Sequence, residues 1–274
     1  MAVAFDAAST KAWEGGNITF SHTCTGSNRV LFVAVNSETW AANPTRITYA
    51  GVALTNIASS FDSSSGEDEN RLSLWRLIAP ASGTNTVAIY VHNEYHCAIA
   101  ASYTGCDQIT PVIASSITTG TGQDGLWSDS SVPSDASGMC IASCGFHYDG
   151  TTGVDAGQTK RGEIATGDIG DQNVVQNWSD EAGTGSPVAM GASAGTTDTD
   201  SITFITCGLQ PPQAVTVDVS GSPASGASSV IVGTVDDGNI SITVDSINET
   251  ISISVGAIQV FEPIRADMHI GITR

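Results

Sequence analysis

The sequence has very little positive charge. Its 274 residues include 9 Lys and Arg against 28 Asp and Glu, so the formal net charge is −19, and the lysines are only Lys11 and Lys160. A chain this acidic, with no basic stretch, is repelled by phosphate backbones and by anionic lipid. We therefore expect no nucleic-acid partner and no membrane partner.

Long apolar runs are also missing. No stretch approaches the roughly 18 consecutive apolar residues of a transmembrane helix. The N-terminal segment Met1–Asp6 has neither the basic region nor the longer apolar region of a signal peptide. If the sequence is complete, we expect synthesis in a cytoplasm without export by that route.

Cysteine is too sparse for a disulfide scaffold. The chain contains Cys24, Cys97, Cys106, Cys140, Cys144 and Cys207, and we expect free, buried thiols because cysteine packs as a small hydrophobe. Cys140, Cys144 and His147 suggest zinc, but four residues of extended strand span roughly 13 Å, too far for two ligands of one tetrahedral ion. We predict no metal site and no cofactor.

The chain is polar through its hydroxyl groups and its backbone rather than through charged side chains. The sequence has 33 Ser, 30 Thr and 29 Gly, and the residues that keep long helices soluble are too scarce for a helical bundle. Short runs rich in Val, Ile, Thr and aromatics, bounded by turn residues, predict an all-β, β-sandwich or jelly-roll-like fold. The predicted strands are Asn17–Ser21, Arg29–Val35, Arg46–Tyr49, Val52–Ile57, Leu72–Ile78, Thr86–His92, Cys97–Tyr103, Met139–Phe146, Pro187–Ala192 and Ser201–Cys207.

Some of these strands carry more detailed expectations. Ala50-Gly51 predicts a tight hairpin because glycine accepts a positive φ. Arg29–Val35 is apolar on both faces, so it should be a central strand, and Ser201–Cys207 should also be well buried. Polar segments 117–138 and 148–173 are interpreted as surface excursions, with a third at Ser59–Asn70.

The double proline at 211 and 212 predicts a domain boundary. We assign residues 1–208 to a β-sandwich module and residues 209–213 to a linker. Residues 214–274 then form a small β domain or docking segment, with alternating strands at Ala214–Val219, Asn239–Val244 and Thr250–Val255. Strands with a single apolar face in about 60 residues would be marginally stable alone.

Several motifs resemble active sites without their context. Gly191–Gly195 matches G-x-S-x-G, but a second strand follows where a helix is required. Gly120–Gly125 matches G-x-G-x-x-G, again without a helix. Three clusters of oxygen ligands suit Ca²⁺ but lack the loop pattern of a calcium site; they are Asp62, Glu67, Asp68 and Glu69, then Asp198 and Asp200, then Asp236, Asp237 and Asn239. We predict no catalytic, cofactor-binding or metal-binding residue and no enzymatic activity.

The tryptophans leave a binding role open. Trp75 lies in a predicted strand and should be core, whereas Trp127 and Trp178 fall in or beside polar segments and are candidates for exposure. Exposed aromatics can stack on sugars or anchor a protein interface.

Three segments resemble a known module: TRITYAGVALT (Thr45–Thr55), RLSLWRLIAPASGTNTVAIYV (Arg71–Val91) and AIAASYTGCDQITPV (Ala98–Val112). They are similar to a β-sandwich module of tailed-bacteriophage virion proteins and large bacterial surface proteins, over roughly residues 1–208. The resemblance implies a structural role without catalytic residues. We expect a capsid decoration protein or head fibre in the virion, made in the host cytoplasm, with other virion proteins, such as the major capsid protein, and itself as partners. The alternative is a glycan- or surface-binding adhesin or tail component, with a host-surface glycan as ligand.

Overall fold

The computed structural model of the chain describes residues 1–38, 43–62, 70–91, 95–120, 126–147, 152–166, 174–194, 201–213, 216–221, 240–245, 250–255 and 268–273. Every regular element in these ranges is a β-strand, which confirms the predicted all-β class. The described residues include no helix that is long and apolar enough to cross a membrane. The chain divides into two compact units, residues 1–211 and 212–274.

The first unit begins with a two-sheet sandwich that we call the first sandwich. Its inner sheet has the order β1-β9-β3-β7-β6, and its outer sheet has the order β2-β8-β4-β5. The strands are β1 (Ala4–Glu14), β2 (Ile18–Cys24), β3 (Val30–Glu38), β4 (Arg46–Tyr49), β5 (Val52–Ala53), β6 (Thr55–Asp62), β7 (Asn70–Ile78), β8 (Gly83–Tyr90) and β9 (Tyr95–Thr104).

A second sandwich follows in the same unit. Its inner sheet has the order β10-β17-β12-β15-β14, and its outer sheet has the order β11-β16-β13. The strands are β10 (Val112–Gly120), β11 (Leu126–Val132), β12 (Met139–His147), β13 (Thr152–Val154), β14 (Thr159–Ala165), β15 (Val174–Ala182), β16 (Val188–Ala194) and β17 (Ser201–Leu209).

The two sandwiches repeat each other strand for strand. If β10–β17 are matched in order to the strands of the first sandwich, leaving out only the two-residue β5, both sheet orders coincide. The register agrees as well: Val30 lies opposite Ile78 and Tyr103, as Met139 lies opposite the ends of β15 and β17. Residues 1–208 therefore contain an internal structural repeat, which we call the duplication.

The four sheets stack with three apolar cores between them. The middle core joins the two inner sheets and contains Phe32, Tyr103, Trp178 and Ile205. The other two cores lie between the inner and outer sheets of each sandwich. Across the middle core β1 faces β14 and β6 faces β10, while β7 faces β17 and β9 faces β15. When each strand is replaced by its counterpart in the other sandwich, β1–β14 becomes β10–β6 and β7–β17 becomes β15–β9. The contact between the sandwiches therefore resembles the interface of a two-fold symmetric dimer, formed here within one chain.

The locally patterned strands agree with the sequence predictions. Arg46–Tyr49 has the predicted bounds, and the hairpin after it has positive φ at Ala50 (50°) and Gly51 (80°). Strand β3 is buried on both faces, with alternate residues in two different cores. Strand β17 is buried along its whole length, as predicted for Ser201–Cys207.

The interpretation of two polar segments as surface excursions is wrong. Segment 117–138 contains the end of β10 and all of β11, and segment 148–173 contains β13 and β14. These strands lie at or near sheet edges, where pairing on one side stabilises a strand that lacks a strongly apolar face. In the third segment, residues 59–62 belong to β6 and residues 63–69 lie outside the described part of the chain.

In the second unit, residues 212–274, the described strands form two pairs. Strand β18 (Thr216–Gly221) pairs with β21 (Met268–Thr273), and β19 (Ile240–Asp245) pairs with β20 (Thr250–Val255), all antiparallel. The division after Pro211 falls inside the predicted linker 209–213.

One polar side chain, that of Asn36 on β3, extends across the middle core and reaches Gly145 on β12. Asn36 and Gly145 occupy equivalent positions in the duplication, and Asn36 packs against its own counterpart. The Nδ2 of Asn36 donates to the backbone oxygens of Val175 (3.1 Å) and Phe146 (3.5 Å). A Cβ on Gly145 would lie 2.5 Å from Oδ1 of Asn36, so only glycine leaves room for this side chain.

Gly145→Ala is therefore expected to lower the free energy of unfolding by about 2 kcal/mol, because a well-packed core must shift to admit the methyl group. Urea unfolding followed by circular dichroism measures the loss. The control is the same substitution in an Asn36→Ala background, where the clash is absent and the cost should shrink. An equal cost in both backgrounds would show that the clash is not its cause.

Candidate functional site: buried polar clusters and an open strand edge

The first polar cluster lies between the two sandwiches. Tyr103 on β9 donates a hydrogen bond to Oδ2 of Asp180 on β15 at 3.0 Å and accepts one from Nε1 of Trp178 at 2.9 Å. Nε of Arg161 reaches both carboxylate oxygens, at 3.0 and 2.9 Å, and its guanidinium lies 4.2 Å from the ring centroid of Phe5. The residues come from four strands of both inner sheets.

This geometry fits a structural role. Asp180 is 2% exposed, and its charge is compensated by Arg161, which is 27% exposed. Burial, and next the nearby Asp180 charge, raise the pKa of Tyr103 well above its ordinary value, so the phenol stays protonated. Both carboxylate oxygens accept hydrogen bonds inside the core, and a general base must instead reach a substrate proton.

The second cluster lies between the sheets of the first sandwich. The Nδ1 of His22 is 3.0 Å from the hydroxyl of Ser9. Nearby, the carboxylate of Asp6 accepts hydrogen bonds from the backbone N of Thr25 (2.8 Å) and the hydroxyl of Ser102 (2.7 Å). Asp6 sits at a β-bulge of β1, which turns its side chain out of the regular alternation.

Ser9, His22 and Asp6 do not have the geometry of a catalytic triad. A triad histidine bonds the nucleophile with one ring nitrogen and the orienting acid with the other. In the described structure Nε2 of His22 is buried without a hydrogen-bond partner, and His22 is only 1% exposed. Burial lowers the pKa of His22 to about 4, so the ring is neutral at physiological pH.

The pKa of Asp6 is lowered, whereas the pKa of a buried acid without hydrogen bonds would be raised. Partial burial raises the pKa of Asp6, but hydrogen bonds from Thr25 and Ser102 outweigh burial and hold the pKa below its ordinary value. Asp6 is therefore ionised and satisfied by groups within its own sandwich. Its carboxylate joins the start of β1 to the residue after β2 (Thr25) and to β9 (Ser102).

Sequence reasoning missed both clusters. Tyr103 and Asp180 are 77 positions apart, and Ser102 and Asp6 are 96 positions apart, so no local spacing connects them. The faint signals were an acidic residue two positions after a tryptophan in the same strand (Asp180 and Trp178) and a histidine within β2 (His22).

All six cysteines are free and buried, as predicted. Burial raises the pKa of Cys106 and Cys207 to about 12 and that of Cys140 to about 11. Cys140 and Cys144 both face the core between the sheets of the second sandwich. The side chain of His147 lies outside the described residues, and the described residues include no group of three or more His, Cys, Asp or Glu that could hold a metal ion.

These thiols should be unreactive in the native protein. Because the thiolate is the reactive form, we expect an aromatic disulfide reagent to modify native cysteines at least about a hundredfold more slowly than cysteines in 6 M guanidinium. In guanidinium all six should react. Mass spectrometry of quenched time points checks this, and fast modification of a single native thiol would contradict the burial of that cysteine.

The described residues of the two glycine motifs lie in β-strands. Ser193 lies within β16, paired to Gly153 and Leu126, so G-x-S-x-G does not form a strand–helix elbow. Gly120 ends β10, and residues 121–125 lie outside the described part. Of the acidic groups only the backbone of Asp62 is described; the other members, 67–69, 198, 200, 236, 237 and 239, lie outside it.

The described tryptophans differ in how deeply they are buried. Trp75 is buried, as predicted. The expectation that Trp178 is exposed is wrong: it is 0% exposed and fills the middle core, because its strand is covered by the first sandwich. Trp127 is half-buried on β11, with a buried Nε1. The side chain of Trp13 and the whole of Trp40 lie outside the described residues.

One strand edge stands apart from these closed cores. Strand β10 pairs with β17 on one side, and no strand in the described part of the chain pairs with its other side. Residues 113–117 are all exposed. Open edges of this kind are ready templates for a further strand.

Comparison with known protein families, with curated proteins and with solved structures finds no match to this chain.

Proposed function

We propose that this chain is a non-enzymatic structural protein that acts by assembly. The main support is the contrast between its interior and β10. The two ionisable clusters are engaged within the fold, whereas residues 113–117 of β10 are exposed and the outer edge of β10 pairs with no strand of the described residues. Stacked sheets with an exposed edge strand fit a protein that assembles with other subunits better than they fit an enzyme.

The specific role that we propose is an outer component of a tailed-phage particle, such as a capsid decoration protein or head fibre. The resemblance of Thr45–Thr55, Arg71–Val91 and Ala98–Val112 to a virion module supports this assignment. The −19 charge would keep the free protein soluble before assembly. Its partners would be the major capsid protein, or another virion protein, and further copies of the chain.

The test is the composition of purified particles of the phage that encodes the chain. We expect quantitative mass spectrometry to find the protein in a fixed ratio to the major capsid protein, and cryo-microscopy to place its density on the outer shell. A matched control is the same analysis of particles from a deletion strain. Absence of the protein from wild-type particles would overturn the virion assignment.

A glycan-binding role is the less favoured proposal. It relied on Trp127 and Trp178 as exposed stacking platforms, and Trp178 is fully buried. Trp127 alone remains, with part of its ring packed on the core of the second sandwich. Glycan-array binding abolished by Trp127→Ala would restore this role.

A further inference from the structure

The duplication allows the edges of the inner sheets to be compared within one molecule. Each inner sheet has two edge strands: β1 and β6 in the first sandwich, and their counterparts β10 and β14 in the second. Natural proteins block such edges with charged residues, proline or bulges. Three of the four strands contain ionisable residues: Asp6, Lys11 and Glu14 in β1, Asp62 in β6, and Lys160, Arg161 and Glu163 in β14.

Strand β10 is the exception. Its sequence, VIASSITTG, has no charged residue and no proline over nine residues. A bulge near Ile113 disturbs only its first residues, and regular pairing with β17 continues from Ala114 to Gly120. Most of the strand is therefore a regular edge without the usual barriers to further pairing.

Exposed apolar side chains concentrate beside this edge. Phe61 on β6 is 41% exposed, and Ile113 and Ile117 on β10 are 40% and 44% exposed. Strands β6 and β10 face each other at the rim of the middle core, and Ile57 and Val112 on the same strands pack against that core. The exposed strip thus continues an existing apolar interface to the surface.

We infer that β10 is the self-association edge of the protein and that its occupant is β10 of a second copy, paired antiparallel about a two-fold axis. The two inner sheets of the second sandwiches would join into one ten-stranded sheet. This inference rests on the self-association proposed above, and it names the strand and the geometry. Particle composition and the solution experiment below test the two proposals separately.

Charge favours a second copy that docks through this strand. Two chains of net charge −19 repel each other, so close contact is least unfavourable along a strand whose own residues are uncharged, as in β10. Charged groups flank the strand on both sides: Arg71 stacks on the Phe61 ring, and Asp129 is hydrogen-bonded to Ser116. In a two-fold antiparallel pair each strand offers the other the same donors and acceptors, and the interface is self-complementary. Strands β1 and β14 could form the same backbone hydrogen bonds, but they would bring ionisable side chains into the interface.

The duplication also supplies a matched control position. Ile117 lies opposite Ile205, and its counterpart Thr10 on β1 lies opposite Ile99, which is the counterpart of Ile205. Both side chains are exposed on edge strands. A lysine at either position adds the same charge to an equivalent strand, but only the lysine at 117 would lie in the proposed interface.

Sedimentation velocity on the full chain, from about 1 to 100 μM, tests the inference with wild type, Ile117→Lys and Thr10→Lys. We expect a monomer–dimer equilibrium in wild type and in Thr10→Lys, and a dissociation constant raised at least about tenfold in Ile117→Lys. Circular dichroism and thermal unfolding confirm that each variant is folded. Every second amide of residues 114–119, those that face away from β17, should exchange hydrogen more slowly in the dimer.

Three outcomes would overturn the inference. One is a wild-type chain that remains monomeric throughout this range. Another is a dimer that Ile117→Lys leaves intact, which would place self-association elsewhere. The third is equal weakening by Thr10→Lys, which would make the effect one of total charge. If Ile117→Lys proves unfolded, Ile117→Thr replaces it, because threonine is the residue at the counterpart position.

Discussion

Replacing Trp178 with alanine should lower the free energy of unfolding by about 3–5 kcal/mol, the range for deleting a large buried aromatic side chain. Trp178 is 0% exposed, and its ring centroid lies 6.3 Å from that of Phe32 across the middle core. The substitution also removes the hydrogen bond to Tyr103. The substitution would destabilise both sandwiches, because the cavity that it leaves lies between them.

The matched control is Trp127→Ala on β11. Trp127 is half-buried, so its loss should cost about 1–2 kcal/mol. Guanidinium unfolding should be followed by far-ultraviolet circular dichroism, because each variant removes a fluorescent probe. Equal costs for the two substitutions would contradict the assignment of Trp178 to a shared core. A single, coincident transition in wild type would show that the sandwiches unfold together.

Acid should destabilise the protein through His22. Its pKa is about 4 in the folded protein, against an ordinary value of 6.5. Below pH 6.5 the unfolded chain binds a proton at this ring that the folded chain does not, so unfolding becomes easier as the pH falls towards 4. The contribution is fully present above pH 6.5, and the total loss is about 3 kcal/mol.

Urea unfolding at intervals from pH 7.5 to 4 measures this loss, and His22→Gln serves as the control. Glutamine keeps a neutral polar side chain near Ser9 but cannot ionise, so the variant should show a flatter pH dependence by about 3 kcal/mol. Asp6 acts in a lower window, because its depressed pKa gives stability that is lost only below about pH 3.8. Identical pH dependence in both proteins would contradict the role of His22.

Local pattern was enough to predict part of this fold. The strand Thr250–Val255 has the predicted bounds, and so does Arg46–Tyr49, because alternation or β-branched runs end there at clear turn residues. The two apolar faces of β3 likewise predicted a strand covered on both sides.

Pairing between distant segments could not be predicted in the same way. Five of the nine residues of β10 are Ser, Thr or Gly, and three of the seven residues of β14 are charged, so neither pattern predicts a strand. Pairing with β17 and β15 makes them strands. The duplication was hidden because equivalent positions hold unlike residues, such as Leu74 and Trp178 or Asn36 and Gly145. Trp178 was misplaced because nothing in its neighbourhood reveals that another sandwich covers it.

The connection between β9 and β10 has a thermodynamic consequence. Only residues 105–111 separate the two sandwiches, and a short tether keeps the local concentration of one partner around the other in the millimolar range or above. Dilution therefore cannot separate them, unlike two independent subunits. The two halves can also carry different residues at equivalent positions, as they do at Asn36 and Gly145. A symmetric dimer of identical chains would have to place asparagine against asparagine at that point, whereas the tandem chain can fit a side chain against a glycine.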